Sequence, residues 1–222
     1  MSFDLTPSQL RVLGALLEKQ ITTPDQYPLT LKSLVSACNQ KSNREPVMSL
    51  SEAVVQDTVA ELDALYLVSQ RAEYGSRVTK HRQRFCNTEF GTLNFEPGEL
   101  AVVVLLMLRG PQTPGELRSR SGRLHAFESV NEVVDALSSL GSREDGPFVV
   151  MLEREPGRRE NRYAHCLGDA APVPATTEST GAPVRVPSAP ERVESTTTRL
   201  DTLEARVHQL EVTLARLREA VR

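Results

Sequence analysis

The chain repeats itself, and the repeat limits what it can fold into. Leu5-Thr-Pro-Ser-Gln-Leu-Arg-Val-Leu-Gly-Ala-Leu-Leu has a counterpart in Phe95-Glu-Pro-Gly-Glu-Leu-Ala-Val-Val-Val-Leu-Leu-Met. In both, a Pro two residues after a large apolar residue opens an amphipathic run. Thr30-Leu-Lys-Ser-Leu matches Thr113-Pro-Gly-Glu-Leu, and Val55, Val59, Leu62 and Leu65 match Val130, Val134, Leu137 and Leu140. The spacing between partners shrinks along the chain, so the second copy has shorter connectors around the same helices. Each copy closes in two short strand-like runs. Helix, helix, helix and a strand pair is the order of a winged helix-turn-helix domain.

The predicted architecture is therefore mainly α with small β-hairpins. Two tandem winged helix-turn-helix domains cover residues 1–92 and 93–167. A Pro-rich linker follows over 168–195, and a C-terminal coiled-coil helix over 196–222. Thr6, Pro7 and Gln9 give the first helix a capping box, and Thr30 caps the second. Ser49 and Glu52 read as the capping box of the third. Leu67 to Glu73 and Val78 to Phe85 read as the strands of a hairpin around Gly75, and Phe148 to Glu153 and Arg162 to Leu167 as a second. Leu100 to Leu108 is apolar around nearly its whole circumference, which predicts burial on two sides, against its own domain and against another module or chain.

The linker places Pro172, Pro174, Pro183, Pro187 and Pro190 among Ala, Thr, Ser and Glu, a composition of extended or disordered chain. In the tail, Leu200, Leu203, Val207, Leu210, Leu214, Leu217 and Val221 alternate in steps of three and four. With Leu200 at a, every d position is Leu and the a positions alternate Leu and Val, which favours a parallel homodimer. Arg199 and Arg206 at g would meet Glu204 and Glu211 at e of a second copy.

Composition narrows the class. The 222 residues carry 26 Lys and Arg against 29 Asp and Glu, a net charge of −3, so any nucleic-acid contact must rest on local patches. Three cysteines without paired spacing and no secretory leader predict reduced thiols in the cytoplasm. The longest apolar run is too short to span a bilayer, so no membrane partner is expected. His81, His125, His165 and His208 form no nucleophile–base arrangement, His165-Cys166 with Cys38 and Cys86 lacks zinc-ligand spacing, and no Gly-rich loop cradles phosphate. No enzyme, metal or cofactor is expected.

What remains is binding. The third helices argue against conventional major-groove reading. One carries Glu52, Asp57, Glu61 and Asp63, the other Glu128, Glu132 and Asp135, and neither has Lys or Arg. Only Gln56 and Asn131 there are neutral base readers. Positive charge lies instead on the first wing, at Arg71, Arg77, Lys80, Arg82 and Arg84. It lies also in the polar connector Cys38 to Pro46, at Asn39, Gln40, Lys41, Asn43 and Arg44, which reads either as a binding loop or as a connector capping its own turns. The second copy adds Arg118 and Arg120, with Arg123 just beyond, and Arg158 and Arg159 on its wing tip. These residues are the candidate nucleic-acid contacts, made to phosphates or a minor groove. The rival class is a protein-interaction scaffold, which suits acidic third helices and a doubly apolar helix.

Tyr27-Pro-Leu-Thr, Ala37-Cys-Asn-Gln-Lys-Ser-Asn-Arg-Glu-Pro-Val-Met48 and Asn87-Thr-Glu-Phe-Gly91 resemble the YceH-like family of bacterial proteins. So do Arg109-Gly-Pro-Gln-Thr-Pro-Gly-Glu-Leu-Arg-Ser-Arg120 and Arg143-Glu-Asp-Gly-Pro-Phe-Val-Val150. The resemblance spans both repeats and implies tandem winged-helix domains. It implies no established activity and carries no catalytic residue over. DNA-binding transcriptional regulation is the leading expectation, with a protein partner as the alternative.

Overall fold

A computed structural model describes residues 3–72, 78–89, 91–155 and 157–168. Arg77, the linker expected over 168–195 (save Gly168) and the heptad positions Leu200, Leu203, Val207, Leu210, Leu214, Leu217 and Val221 lie outside the described residues. The described part combines helices with small antiparallel sheets, in the order α1 (Pro7–Thr22), a 3-10 turn (Pro24–Gln26), β1 (Leu29–Thr30), α2 (Leu31–Cys38), α3 (Glu52–Ala64), β2 (Val68–Ala72) and β3 (Thr79–Gln83). It continues with α4 (Pro97–Arg109), α5 (Pro114–Arg120), α6 (Val130–Ser142), β4 (Val149–Met151) and β5 (Tyr163–His165).

The helix starts follow from local chemistry. Thr6 accepts from the Gln9 N–H while the Gln9 side chain accepts from the Thr6 N–H. Thr113 and Glu116 repeat that box at α5, and Thr30 caps α2. The third helices begin later than expected. Ser51, not Ser49, caps α3, and Ser129 caps α6. This corrects the internal alignment as well. Cap on cap, Val55, Val59 and Leu62 fall on Val133, Leu137 and Leu140, all buried. Val130 and Val134, matched from sequence to core positions of α3, are exposed, and so is Leu65. The expected match slipped by about one turn, because a 3.6-residue period nearly repeats after three or four residues.

The core is continuous across the repeat. α1 and α4 are buried around most of their circumference and pack against each other. Gly14 sits at that contact, where a Cβ would lie 3.0 Å from Leu108 Cδ2 and 3.3 Å from Met107 Cβ. The two-sided burial expected of Leu100 to Leu108 is thus met by α1 on one side and α6 on another. A row of rings runs across the same junction. Phe3 packs on Phe85, Phe85 on Phe95 and Phe95 on Phe148, with centroids 5.3, 6.2 and 5.0 Å apart. The first and last of these contacts are edge-to-face, a geometry that adds to what burial alone contributes.

The first sheet has the order β1-β3-β2, with Leu29 opposite His81 and Val68 opposite Gln83. β1 has no signal in sequence because it is two residues long. The second sheet is β4 with β5, and Gln112 bridges to Tyr163 where β1 would stand. Tyr27 ties α1's exit to the first sheet: its hydroxyl accepts the Gln83 N–H at 2.6 Å.

Candidate nucleic-acid interface

A strand's side chains alternate between faces, so residues two apart share one. In the first hairpin Val68, His81 and Gln83 turn inward and are buried. The alternate positions hold Ser69 and Arg71 on β2, and Lys80, Arg82 and, just past the strand, Arg84 on the other arm. Register sets Arg71 against Lys80 and Ser69 against Arg82. Pleating therefore gathers four of the expected contacts onto one outer face. Arg71, Arg82 and Arg84 also line one groove, with Phe3, Tyr66 and Glu89. Among the described residues Glu89 is the only acidic one lining it.

Tyr66 has no counterpart among the residues expected from sequence. It closes α3 with φ at 60°, and it is 75 % exposed. Its N–H donates to Asp63 O and the Leu67 N–H donates to Leu62 O, both at 2.9 Å. Those two bonds define the helix stop whose left-handed residue is ordinarily Gly. A tyrosine in this conformation costs roughly 1–2 kcal/mol of backbone energy. Its ring recovers little of that by burial. The one available signal is an aromatic residue directly after a helix, where a glycine would be the local choice.

The connector is an internal brace. Asn39 accepts the Leu50 N–H and donates to the Leu50 carbonyl, each at 2.8 Å. Arg44 is 4 % exposed, and its guanidinium meets Glu18 in a two-point pair at 2.7 and 3.1 Å. Its other N–H groups donate to Ala37 O and Asn43 O. Every donor is taken, which removes Arg44 from any outward contact. Asn43 accepts from Arg109 at 2.8 Å, and the Glu45 N–H donates to Leu108 O, so the connector also grips the end of α4. Arg11, buried beneath, donates to Cys38 O and Pro46 O. Gln40 accepts from Lys19 at 3.4 Å. Lys41 alone of this group is fully outward. Neither of the two readings left open describes Asn39, Asn43 and Arg44: their side chains tie the connector to Leu50, to Arg109 and to Glu18 rather than capping its own turns.

In the second half Arg118, Arg120 and Arg158 have partners. Arg118 donates to Glu128 O, and Arg120 donates to Gln112 Oε1 and stands 3.5 Å from Glu116. Arg158 lies 3.6 Å from Glu155 at an exposed tip where Arg159 adjoins Glu160. The third helices are uncovered on their acidic sides. Glu52, Gln56, Asp57 and Glu61 of α3 are exposed, as are Asn131 and Asp135 of α6.

Burial shifts several titratable side chains inside the fold. Burial pushes the Cys38 and Cys86 thiols up to about 12, far from thiolate chemistry at neutral pH. Burial lowers His81, against a smaller opposing pull from Asp63, and lowers His165. Glu18 is raised by burial but drawn below its ordinary value by the hydrogen bonds and charge of Arg44, with Lys19 adding. Among the described residues no three His, Cys, Asp or Glu side chains converge on a metal position, and no helix is long and apolar enough to cross a membrane.

A family model described as a protein of unknown function, DUF480, matches residues 5–158. A UPF0502 protein of Cronobacter sakazakii is 52 % identical over 184 residues, covering 82 % of this chain and 85 % of that protein. A UPF0502 protein of Klebsiella pneumoniae is 53 % identical over 184 residues, covering 83 % and 85 % respectively.

Proposed function

The chain belongs to this family, whose description names no reaction and no ligand, and from that premise we propose that it is a non-enzymatic, nucleic-acid-binding regulator built on two tandem winged-helix domains. The observation that carries the proposal is the outer face of the first hairpin, where Arg71, Lys80, Arg82 and Arg84 stand on one side of the sheet beside the strained, exposed Tyr66. Arginines in a groove bind backbone phosphates, and an exposed ring adds a surface for a base or sugar. The acidic third helices turn phosphate away and direct binding to the wing. Lys41 and the second-half arginines are secondary contacts at most, and cytoplasmic location completes the reading.

Duplex binding followed by fluorescence anisotropy against salt tests it. Affinity is expected to fall with salt. The log–log slope should flatten by about 0.9 for each phosphate left unneutralised by Arg71→Ala, Arg82→Ala or Arg84→Ala. Binding indifferent to both salt and these substitutions sinks the proposal. In this reading residues 196–222 pair two chains and present two such faces at once. Sedimentation of the full chain should give a dimer that Leu203→Arg with Leu210→Arg dissociates, and a monomer at every concentration rules the pairing out.

A second reading, a protein-interaction scaffold, draws on the exposed Val130 and Val134 of α6 and Val150 and Met151 of β4. Native capture of the tagged chain separates the two. A stoichiometric protein partner without nucleic acid favours the scaffold.

A further inference from the structure

Apart from the hairpin, the described surface holds a second concentration of positive charge, and it is concave. Between the end of α1, the outer side of α2 and the loop after α5 lies a cleft of about 620 Å³. Lys19, Lys32 and Arg123 contribute cations to its wall, Ser33 and Ser36 contribute hydroxyls, and Gln40 an amide. None of the described residues lining it is acidic. In a chain of net charge −3 that is a departure from the average surface. Lys19 is held within the cleft: its ammonium lies 3.1 Å from Glu18 and 3.4 Å from Gln40 Oε1. Glu18 is already engaged on both oxygens by the buried Arg44, so its charge is shared between two cations and leaves a positive excess.

We propose that this cleft binds a small molecule through a phosphate or diphosphate group. Three cations facing one volume call for a ligand with more than one negative charge, and serine hydroxyls beside ammonium groups suit an oxyanion with several acceptor oxygens. The geometry suits a compact terminal group, whereas a nucleic-acid backbone follows an open surface such as the hairpin. Arg123 belongs to the second half of the chain and the other five residues to the first. A ligand held by both therefore bridges the repeat and stabilises the joined form by mass action. The inference does not rest on the hairpin reading, since it uses none of the same side chains.

Inorganic pyrophosphate is the probe, titrated calorimetrically into the full chain at constant ionic strength set with sodium chloride. Saturable binding is expected, accompanied by a rise in melting temperature. Lys32→Ala and Arg123→Ala should each weaken it about tenfold or more, the effect of removing one charge-assisted hydrogen bond. Both side chains are exposed, so their removal leaves the core intact, and circular dichroism with an unliganded melt verifies it. Arg82→Ala on the hairpin should leave pyrophosphate affinity unchanged. The proposal is overturned by no heat of binding at millimolar pyrophosphate, by an affinity that survives both cleft substitutions, or by one that falls equally with Arg82→Ala. A short duplex is the final arm. If it displaces pyrophosphate, and Lys32→Ala weakens duplex binding equally, the cleft belongs to the nucleic-acid path and the small-molecule assignment fails.

Discussion

The two repeats run three helices and a hairpin in the same order, with β1 reduced to a single bridge in the second, but place their arginines under different constraints. In the first half Arg44 is sealed inside against Glu18, while Arg71, Arg82 and Arg84 stand outside on one hairpin face. In the second half Arg143 takes the intermediate course. It forms a two-point pair with Asp145 at 2.8 and 2.9 Å and lies 5.2 Å from the Phe95 ring centroid, partly in solvent. The outer arginines of that half, at 118, 120 and 158, each meet a carboxylate or carbonyl. The ends of the third helices differ in the same sense. α3 stops on a strained, exposed tyrosine, and α6 runs into the braced Arg143 with ordinary extended backbone. The repeated pattern gives both repeats three helices and a hairpin, and only the first gathers its cations on one outer hairpin face among the described residues.

The contrast breaks most sharply at the buried pair. Arg44→Ala leaves the Glu18 carboxylate inside the protein with Lys19 as its remaining partner. Removing one member of a buried pair costs about 3–5 kcal/mol, and Lys19 places this case at the lower end. Arg143→Ala removes a half-exposed pair with Asp145 and the cation 3.6 Å from buried Glu99, whose carboxylate keeps the Ser139 hydroxyl and the Glu96 N–H, so a smaller loss than that of Arg44→Ala is expected. Urea denaturation of the two variants measures both. Comparable losses would mean that the halves do not differ in the way their ion pairs are enclosed. Because α1 and α4 share one core, each variant should also shift a single transition rather than uncover a second.

A smaller effect has the opposite sign in two assays. Tyr66→Gly relieves a left-handed backbone that suits glycine, against glycine's own greater entropy in the unfolded chain, and should stabilise the fold by about 0.5–1 kcal/mol. The same change should weaken nucleic-acid binding by about 1 kcal/mol, the lower end of what one stacking ring contributes. A residue retained at a cost in stability is the pattern expected of a contact surface. If the substitution leaves affinity untouched, Tyr66 has no place in the interface, whatever its effect on melting.

Much of this was readable from residues alone, for definable reasons. Thr6 with Gln9, and Thr113 before its Pro, announce helix starts because a capping box is satisfied within four residues. The cationic face was also readable, since Arg71, Lys80, Arg82 and Arg84 keep the period of two that a strand imposes. The connector could be marked as unusual but not understood. Arg44 looks like any loop arginine until Glu18, which lies a helix away in sequence, is folded against it. Tyr66 was hidden for the reverse reason: its φ is set by how α3 ends, and residue identity there would have argued for a different stop. The slipped match of α3 to α6 shows the limit of apolar periodicity, which fixes a helical face more firmly than it fixes the turn.

The smallest expected effect is a dependence on pH shared by the halves. His81 is buried with an Nδ1 that has no partner among the described residues, and His165 is buried with its Nδ1 accepting the Leu167 N–H at 3.3 Å. Burial lowers both from the ordinary 6.5, and Asp63 offsets part of the fall at His81. The unfolded chain then takes up protons before the folded one does. Stability is therefore full above about pH 6.5 and declines as pH falls through that value toward the lowered folded values. Glu18 works in a separate, more acidic window. Its folded value lies below 4.5, so the stability it contributes is present above 4.5 and is lost as pH falls below it. Thermal melts from pH 7.5 to 5.5 should show the histidine decline. His81→Gln and His165→Gln should each flatten the slope whatever they do to the absolute melting temperature. A decline that persists undiminished in the double variant would place the titrating groups elsewhere. A slope that depends on His81 alone would show that the second half encloses its histidine less tightly than the first.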